Sequence, residues 1–297
     1  MKGLILAGGS GSRLYPVTLP TCKQLLPVYD KPLVYYPLSV LMLTGVREVL
    51  IVTTPKDVGR FEEVFGDGSL LGMKIRYAVQ DQPRGLADAL IIGEEFLAGE
   101  PVAMILGDNI LFGHGLPSIL QAGRRSVEEN GGAYVFGYYV NDPHRYGVVG
   151  FNKSGQITSI EEKPLQPKSN YAVIGLYFYD QQAATVAKKI KPSSRGELEI
   201  TAVNEAYLQQ GRLKMGFLGR GFAWFDAGTP DSLLEAAEFV ATIEKRTGLK
   251  IGCIEEVAHS LKFISDAQLI KLAKPLAKSS YGQYLTQIVK ESPVYDL

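Results

Sequence analysis

Short, continuously apolar runs alternate with stretches of helical periodicity through the first part of the chain. Gly3-Leu4-Ile5-Leu6-Ala7 stops at a glycine cluster, the pattern of a strand buried on both faces that exits into a loop. Residues 33–44 carry apolar positions at helical spacing and end at Gly45, a residue suited to the position after a helix, before strand-like residues 49–53. The alternation continues through a predicted helix near 57–65, a strand near 75–79, a helix over 86–96 and a strand over 102–106. Such alternation predicts an α/β fold with a doubly wound, mostly parallel sheet. From Ala133 onward, short strands over 134–140, 147–151, 157–161 and 172–179 follow with fewer helices between them, so a mixed, β-rich part is expected. Residues 231–243 and then 261–289 read as helical with no strand signal.

At 297 residues the chain suffices for one large domain plus an appendage, since single cores stop growing at roughly 250–300 residues. Hydrophobic residues at 46% and charged residues at 21% exclude a disordered or fibrous chain. The 31 basic and 31 acidic residues cancel, so no global field draws the chain to a nucleic acid polymer or an anionic membrane. Any phosphate recognition must be local. Cys22 and Cys253 lie far apart and outside CxxC spacing, which argues for buried small hydrophobes rather than a disulfide, zinc or redox pair. No run approaches the roughly 20 apolar residues of a membrane span, and a cytoplasmic location is the expectation.

The first strand exits into Gly8-Gly9-Ser10-Gly11-Ser12-Arg13-Leu14, where close glycines let backbone N–H groups wrap an anion. The loop is not GxxxxGK[ST], and as GxGxxG it fails at Leu14, so P-loop and dinucleotide readings drop out. A tight turn needs the same glycines; Arg13 tips the reading toward a negatively charged ligand. Lys23 lies in an apolar, proline-bearing segment, where an ammonium either finds a partner or snorkels to the surface. Asp108 follows the strand over 102–106 and Gly107, at the carboxyl edge of a parallel sheet, where such folds bind ligands. An acid there can hold Mg²⁺, which takes one or two carboxylates plus phosphate oxygens and water, and Asp226 is the candidate partner. Either aspartate alone also reads as an Asx turn beside a glycine. His114, His144 and His259 show no metal spacing.

LAGGSGSRL at 6–14 followed by KQLLPVYDKPLVYYPLSVLMLTG at 23–45 resembles the signature of the sugar-1-phosphate nucleotidyltransferases. GDGS at 66–69, LGDN at 106–109, DPHRYGVV at 142–149 and EEKPLQPKSNYAV at 161–173 place the resemblance in that family's thymidylyltransferase branch. GLYFYD at 175–180, RGELEIT at 195–201 and LAKSSYGQYL at 276–285 extend it nearly end to end. The chain departs from the family pattern at Ser12, across 80–88 where Arg84 replaces an acid, and at Ile174, Ala227 and Pro230.

The resemblance implies a Rossmann-like nucleotidyltransferase domain over 1–247, its nucleotide-binding part about 1–130 and its sugar-binding part about 131–230, with a helical appendage over 248–297. It implies a homotetramer whose tail lies near subunit contacts and a regulatory nucleotide site. Nucleotide contacts are expected from Leu6, Gly8, Gly9, Ser10, Gly11, Ser12, Arg13, Lys23, Gln24, Gln80, Pro83, Gly85 and Asp108. Sugar phosphate contacts are expected from Asn109, Gly147, Glu162, Lys163, Val173, Tyr177 and Arg195, and Mg²⁺ ligands from Asp108 and Asp226. The implied reaction is in-line attack of glucose 1-phosphate on the α-phosphorus of dTTP, giving dTDP-glucose and pyrophosphate. The nucleophile is already anionic, so alignment and charge neutralisation by Arg13, Lys23 and Lys163 suffice without a general base. The same chemistry on UTP or another sugar phosphate, and a non-catalytic nucleotide-sugar sensor, are the rival readings. A sensor should have lost some of Arg13, Lys23, Asp108, Lys163 and Asp226, and all five are present.

Overall fold

The computed structural model describes residues 1–9 and 11–291; Ser10, one of the expected loop contacts, lies outside the described residues. The chain runs β1 (Lys2–Ala7), the hairpin β2 (Pro27–Val28) and β3 (Lys31–Pro32), α1 (Tyr35–Leu43), β4 (Glu48–Thr53), α2 (Val58–Phe65) and β5 (Lys74–Val79). It continues through α3 (Asp88–Ile92), α4 (Glu94–Leu97), β6 (Val102–Leu106), β7 (Asn109–Gly113), α5 (Leu116–Asn130), β8 (Ala133–Tyr139), β9 (Gly147–Phe151) and β10 (Ile157–Glu162). Then come β11 (Tyr171–Tyr179), α6 (Ala183–Ala187), α7 (Ile200–Gln209), β12 (Leu213–Leu218), β13 (Phe222–Asp226), α8 (Pro230–Thr247), α9 (Ile254–Ser260), α10 (Asp266–Ala273) and α11 (Ser280–Glu291).

Nine strands join in one mixed sheet of order β10-β9-β11-β6-β1-β4-β5, with β8 added against β11 and β12 against β8. The pairs β6·β1, β1·β4 and β4·β5 are parallel, while β11 enters antiparallel to β6. The continuous apolar runs belong to strands covered on both faces. Ile5, Ile51 and Ile105 lie in register and pack into one core, and their neighbours Leu4, Leu50 and Met104 pack into a second on the opposite face. The expected β-rich part is a continuation of this same sheet through β11.

The helix predicted over 86–96 is broken into α3 and α4 at Gly93, whose backbone sits so near Leu4 that an added Cβ would meet it at 3.0 Å. Helices α5 and α7 and strands β7, β12 and β13 escape the apolar pattern. Helix α5 buries only Leu116, Leu120, Gly123 and Val127 of its 15 residues, too sparse a stripe to read.

The helices after Gly248 are built into the core. Cys253, Ile254, Val257, Leu269 and Leu285 share a hydrophobic cluster with Ile5 and Val49, and both cysteines are buried and unbridged. A buried ion cluster fastens this part to the β2–β3 hairpin. Lys31 Nζ lies 2.5 Å from Asp30 and 2.9 Å from Glu244, and Lys250 bonds the same Asp30 and lies 3.0 Å from Glu244. The Tyr281 hydroxyl donates to Glu255 at 2.6 Å and the Tyr284 hydroxyl to Glu256 at 2.7 Å. Both lysines lie over the Tyr281 ring. Among the described residues no helix is long and apolar enough to cross a membrane.

Burial, helped by the nearby Glu244 charge, pushes the Glu256 carboxyl from 4.5 up to about 7, against the Tyr284 hydrogen bond and the Lys250 and Lys31 charges. The folded chain therefore holds a proton that the unfolded chain has lost above pH 4.5, so this group's contribution to stability falls as pH rises from about 4.5 to about 7. Glu256→Gln keeps an acceptor for Tyr284 without the charge. It should unfold at a higher temperature than the parent at pH 8, by roughly 1–3 kcal/mol, with the difference closing near pH 5. Melting curves across that range measure it; a gap independent of pH would contradict the assignment.

Candidate active site

The carboxyl ends of β1 and β6 open into one cavity of about 680 Å³. Beyond β1 the chain turns through Gly9 at φ 98° and Gly11 at φ 62°, left-handed conformations that suit glycine. Gly11 starts a short turn over Ser12–Leu14, pinned by buried Leu14 and by the Thr18 hydroxyl, which donates to the Gly11 carbonyl at 2.8 Å. Gln24 donates to the Gly8 carbonyl at 3.3 Å and so ties the Lys23 segment to the glycine loop. The Gly107 N–H donates to the Leu6 carbonyl at 2.9 Å, extending the β1·β6 pairing to the residue before Asp108.

The second carboxylate arrives by a two-stranded ribbon. Strands β7 and β13 pair antiparallel with Asp226 opposite Asn109, and the Ala227 N–H donates to the Asp108 carbonyl at 3.1 Å. Lys23 bonds the Asp108 carboxylate directly. Burial works against the charged form of Asp108, yet the Lys23 ammonium and hydrogen bonds from Lys23 and Asn109 hold its carboxyl below the usual range. Burial and the Asp108 charge push Asp226 up to about 6, against the pull of Lys23, Arg13 and Arg145. Arg13 and Asp226 converge on the Gly228 backbone, where an added Cβ would lie 2.9 Å from Asp226 Oδ1 and 3.2 Å from an Arg13 nitrogen.

Asn109 organises this wall. Its Nδ2 donates to Asp108 at 2.9 Å, and its Oδ1 accepts from Trp224 Nε1 at 2.6 Å and from the Gly175 N–H at 3.1 Å. Gly175 falls where the β11·β8 register shifts, and a Cβ there would lie 2.7 Å from Asn109 Oδ1, so only glycine admits the amide. Gly147, Glu162, Lys163, Val173, Tyr177 and Arg195 line the same cavity. Glu162 accepts from Thr201 at 2.5 Å and lies 3.4 Å from Arg195, while Lys163, at φ 44°, donates its backbone N–H to Tyr146 at 3.0 Å. Burial raises the Tyr177 hydroxyl far above its ordinary range, reinforced by Glu162, Asp108 and Asp226, so it stays a neutral phenol.

The cavity wall thus unites Leu6, Gly8, Gly9, Gly11, Ser12, Arg13, Lys23, Gln24, Asp108 and Asp226 with the whole expected sugar set. Gln80, Pro83 and Gly85 stand beside it rather than on it. Gln80 is buried behind the glycine loop, its Oε1 3.3 Å from where a Gly8 Cβ would be, and its Nε2 donates to Asp88 at 2.9 Å and to the Gly85 carbonyl at 3.3 Å. Arg84 pairs with the same Asp88. Ile174 and Ala227, two departures from the family pattern, are buried in cores rather than in the cavity, and Pro230 opens α8. The sequence reading had not singled out Arg145, Thr201, Asn204, Trp224 and Gly228 as site residues, and all line the cavity. Arg145 and Thr201 fall inside the matched stretches at 142–149 and 195–201; Asn204 carries no comparable signal.

Known proteins resemble this chain over nearly its whole length. The family described as nucleotidyl transferase matches residues 2–243. A glucose-1-phosphate thymidylyltransferase of Xanthomonas campestris pv. campestris is 54% identical over 294 residues, covering 99% of each chain. One from Mycobacterium tuberculosis is 52% identical over 292 residues, 98% of this chain and 100% of that one. Among solved structures, a UDP-glucose pyrophosphorylase complexed with UDP-glucose superposes with a TM-score of 0.70 at 27% identity, over 82% of this chain and 99% of that one.

Asn109→Leu should destabilise the fold by about 2 kcal/mol or more, because the Gly175 N–H and Trp224 Nε1–H lose their shared acceptor. Denaturant unfolding measures this. A loss within experimental error would show that water replaces both bonds and that Asn109 does not organise the wall.

Proposed function

This chain belongs to the nucleotidyl transferase family, and from that premise we propose that it transfers the thymidylyl group of dTTP to glucose 1-phosphate, releasing pyrophosphate. The observation that carries the proposal is that one cavity gathers groups for both substrates: Arg13, Lys23, Asp108 and Asp226 line it together with Glu162, Thr201, Arg195 and Lys163. The cationic groups suit phosphates, and the carboxylates and hydroxyl suit a sugar.

The triphosphate lies along the glycine loop, where Arg13 and Lys23 neutralise the departing pyrophosphate. Lys163 and Arg195 hold the sugar phosphate so that its oxygen faces the α-phosphorus. This anion needs no base, and the buried neutral Tyr177 adds a hydroxyl rather than a charge. Among the described residues no cluster of three or more acidic, histidine or cysteine ligands exists. The two converging carboxylates nevertheless fit Mg²⁺, which completes its shell with phosphate oxygens and water, and the Asp108 charge that raises Asp226 is the repulsion a cation relieves. Mg²⁺ on Asp108 and Asp226 would supply charge neutralisation at the α-phosphate.

The Gln80 amide would favour thymine or uracil over cytosine. Asp88 and the Gly85 carbonyl, both acceptors, fix which end is NH₂, leaving Oε1 toward the loop as an acceptor. An acceptor suits the N3–H of thymine or uracil and rejects cytosine, whose N3 is itself an acceptor.

Pyrophosphate release measured with dTTP, UTP, dCTP and dATP against several sugar 1-phosphates tests the proposal. The pair dTTP and glucose 1-phosphate should give the highest kcat/KM. Gln80→Ala should lower kcat/KM for dTTP by about 5- to 100-fold and narrow its margin over dCTP. Release with UTP preferred would move the assignment to another member activity, and binding without release would make the chain a sensor. An unchanged base preference in the variant would remove Gln80 from the site.

A further inference from the structure

Helix α7 presents Ile200, Thr201 and Asn204 to the cavity, residues one turn apart on one face. Thr201 is bonded to Glu162, and a Cβ on Gly147 would lie 3.0 Å from the Thr201 hydroxyl, so this face backs the part of the cavity lined by Glu162 and Gly147. Asn204 is 1% exposed. Its Oδ1 accepts from the Tyr179 hydroxyl at 2.7 Å, while its Nδ2 is buried without a partner.

The carbonyl end cannot swing away to share that burden. The Tyr179 ring is stacked between Tyr177, at 6.1 Å, and Tyr207, at 5.7 Å. Tyr207 in turn donates to Asp180 at 2.7 Å, and the Gly132 N–H donates to the same carboxylate at 2.7 Å. A rigid stack therefore holds the amide by its carbonyl end and leaves its two N–H donors buried and unpartnered on a residue that lines the cavity. An unmet buried donor costs free energy, and an orphan of this kind in a native fold marks a missing partner.

We infer that Asn204 is a specificity-determining residue for the sugar, its amide N–H₂ donating to one hydroxyl oxygen of the bound hexose directly or through one ordered water. The inference rests on the reading of the cavity as a dTTP and glucose 1-phosphate site. It assigns to a residue outside the matched motifs a contact that discriminates between sugars rather than between nucleotides.

Steady-state kinetics of the parent, Asn204→Leu, Asn204→Asp and the double variant Asn204→Leu/Tyr179→Phe, with glucose 1-phosphate and each of its monodeoxy analogues, tests it. The parent must first release pyrophosphate from dTTP and glucose 1-phosphate; failure there overturns both the functional reading and this inference. Given that activity, Asn204→Leu should raise KM for glucose 1-phosphate by about fivefold, the ratio one neutral hydrogen bond represents, with KM for dTTP at the parent value. The penalty for one deoxy analogue should vanish in the variant. Asn204→Asp keeps an acceptor for Tyr179 but no amide donor, and should reproduce the lost discrimination. The double variant leaves neither polar end orphaned and should melt no lower than Asn204→Leu while showing the same sugar effect. Parallel rises in both KM values, or undiminished penalties for every analogue in the folded variants, would overturn the inference and leave Asn204 as a strut for Tyr179.

Discussion

Two carboxylates and one ammonium share a half-buried corner at the carboxyl edge of the sheet, and most of the local architecture serves to keep them there. Asp108 bonded to Lys23 is a settled ion pair; Asp226 beside them is a surplus negative charge, and its raised carboxyl registers the strain. Such an arrangement is costly unless every member is hydrogen-bonded or a cation joins it. The backbone contacts follow from that constraint. The register of β7 against β13 brings Asp226 beside Asn109, the Ala227 N–H fixes the turn to Asp108, and Gln24 ties the lysine segment to Gly8.

The same segment continues into the β2–β3 hairpin and there meets the second buried cluster. Leu33 and Val34 return hydrogen bonds to Leu26 and Gln24, so the residues after Lys23 form a closed loop whose far end carries Lys31. Glu244 and Lys250 hold that end from α8 and the segment after it. The C-terminal helices thus act on the site through packing, by fixing the loop that presents Lys23. A deletion in the tail would expose Ile254, Val257 and Leu285 as well as lose the ion cluster, so folding and lysine placement would fail together.

The parallel half of the fold was legible because strands covered on both faces become uninterrupted apolar runs, as in β1, β4 and β6. The ribbon that delivers Asp226 was not: every residue of β13 is only partly buried, and its pairing with β7 exists only in three dimensions. Charged site residues were legible where they follow a buried strand, as Arg13 and Asp108 do, or lie in a matched motif, as Glu162 and Lys163 do. Gln80 was expected to read the base from its motif alone; the side-chain bond to Asp88 that sets its amide could not be read from the sequence. Asn204 and Gly228 gave no sequence signal because their significance comes from what tertiary packing leaves unpaired or brings close.

Asp108 and Asp226 are proposed to act as one unit around a shared cation rather than as two turn residues. Turnover against magnesium concentration for the parent, Asp108→Asn, Asp226→Asn and the double variant, with thermal unfolding alongside, tests that claim most directly. Each single variant should lose about 100-fold or more in turnover, comparable to removal of a preorganised electrostatic contact. The double variant should be hardly worse than the worse single one, because groups acting as a unit are not additive. Near-parental turnover in either single variant, or additive losses that follow the melting temperature, would contradict the claim.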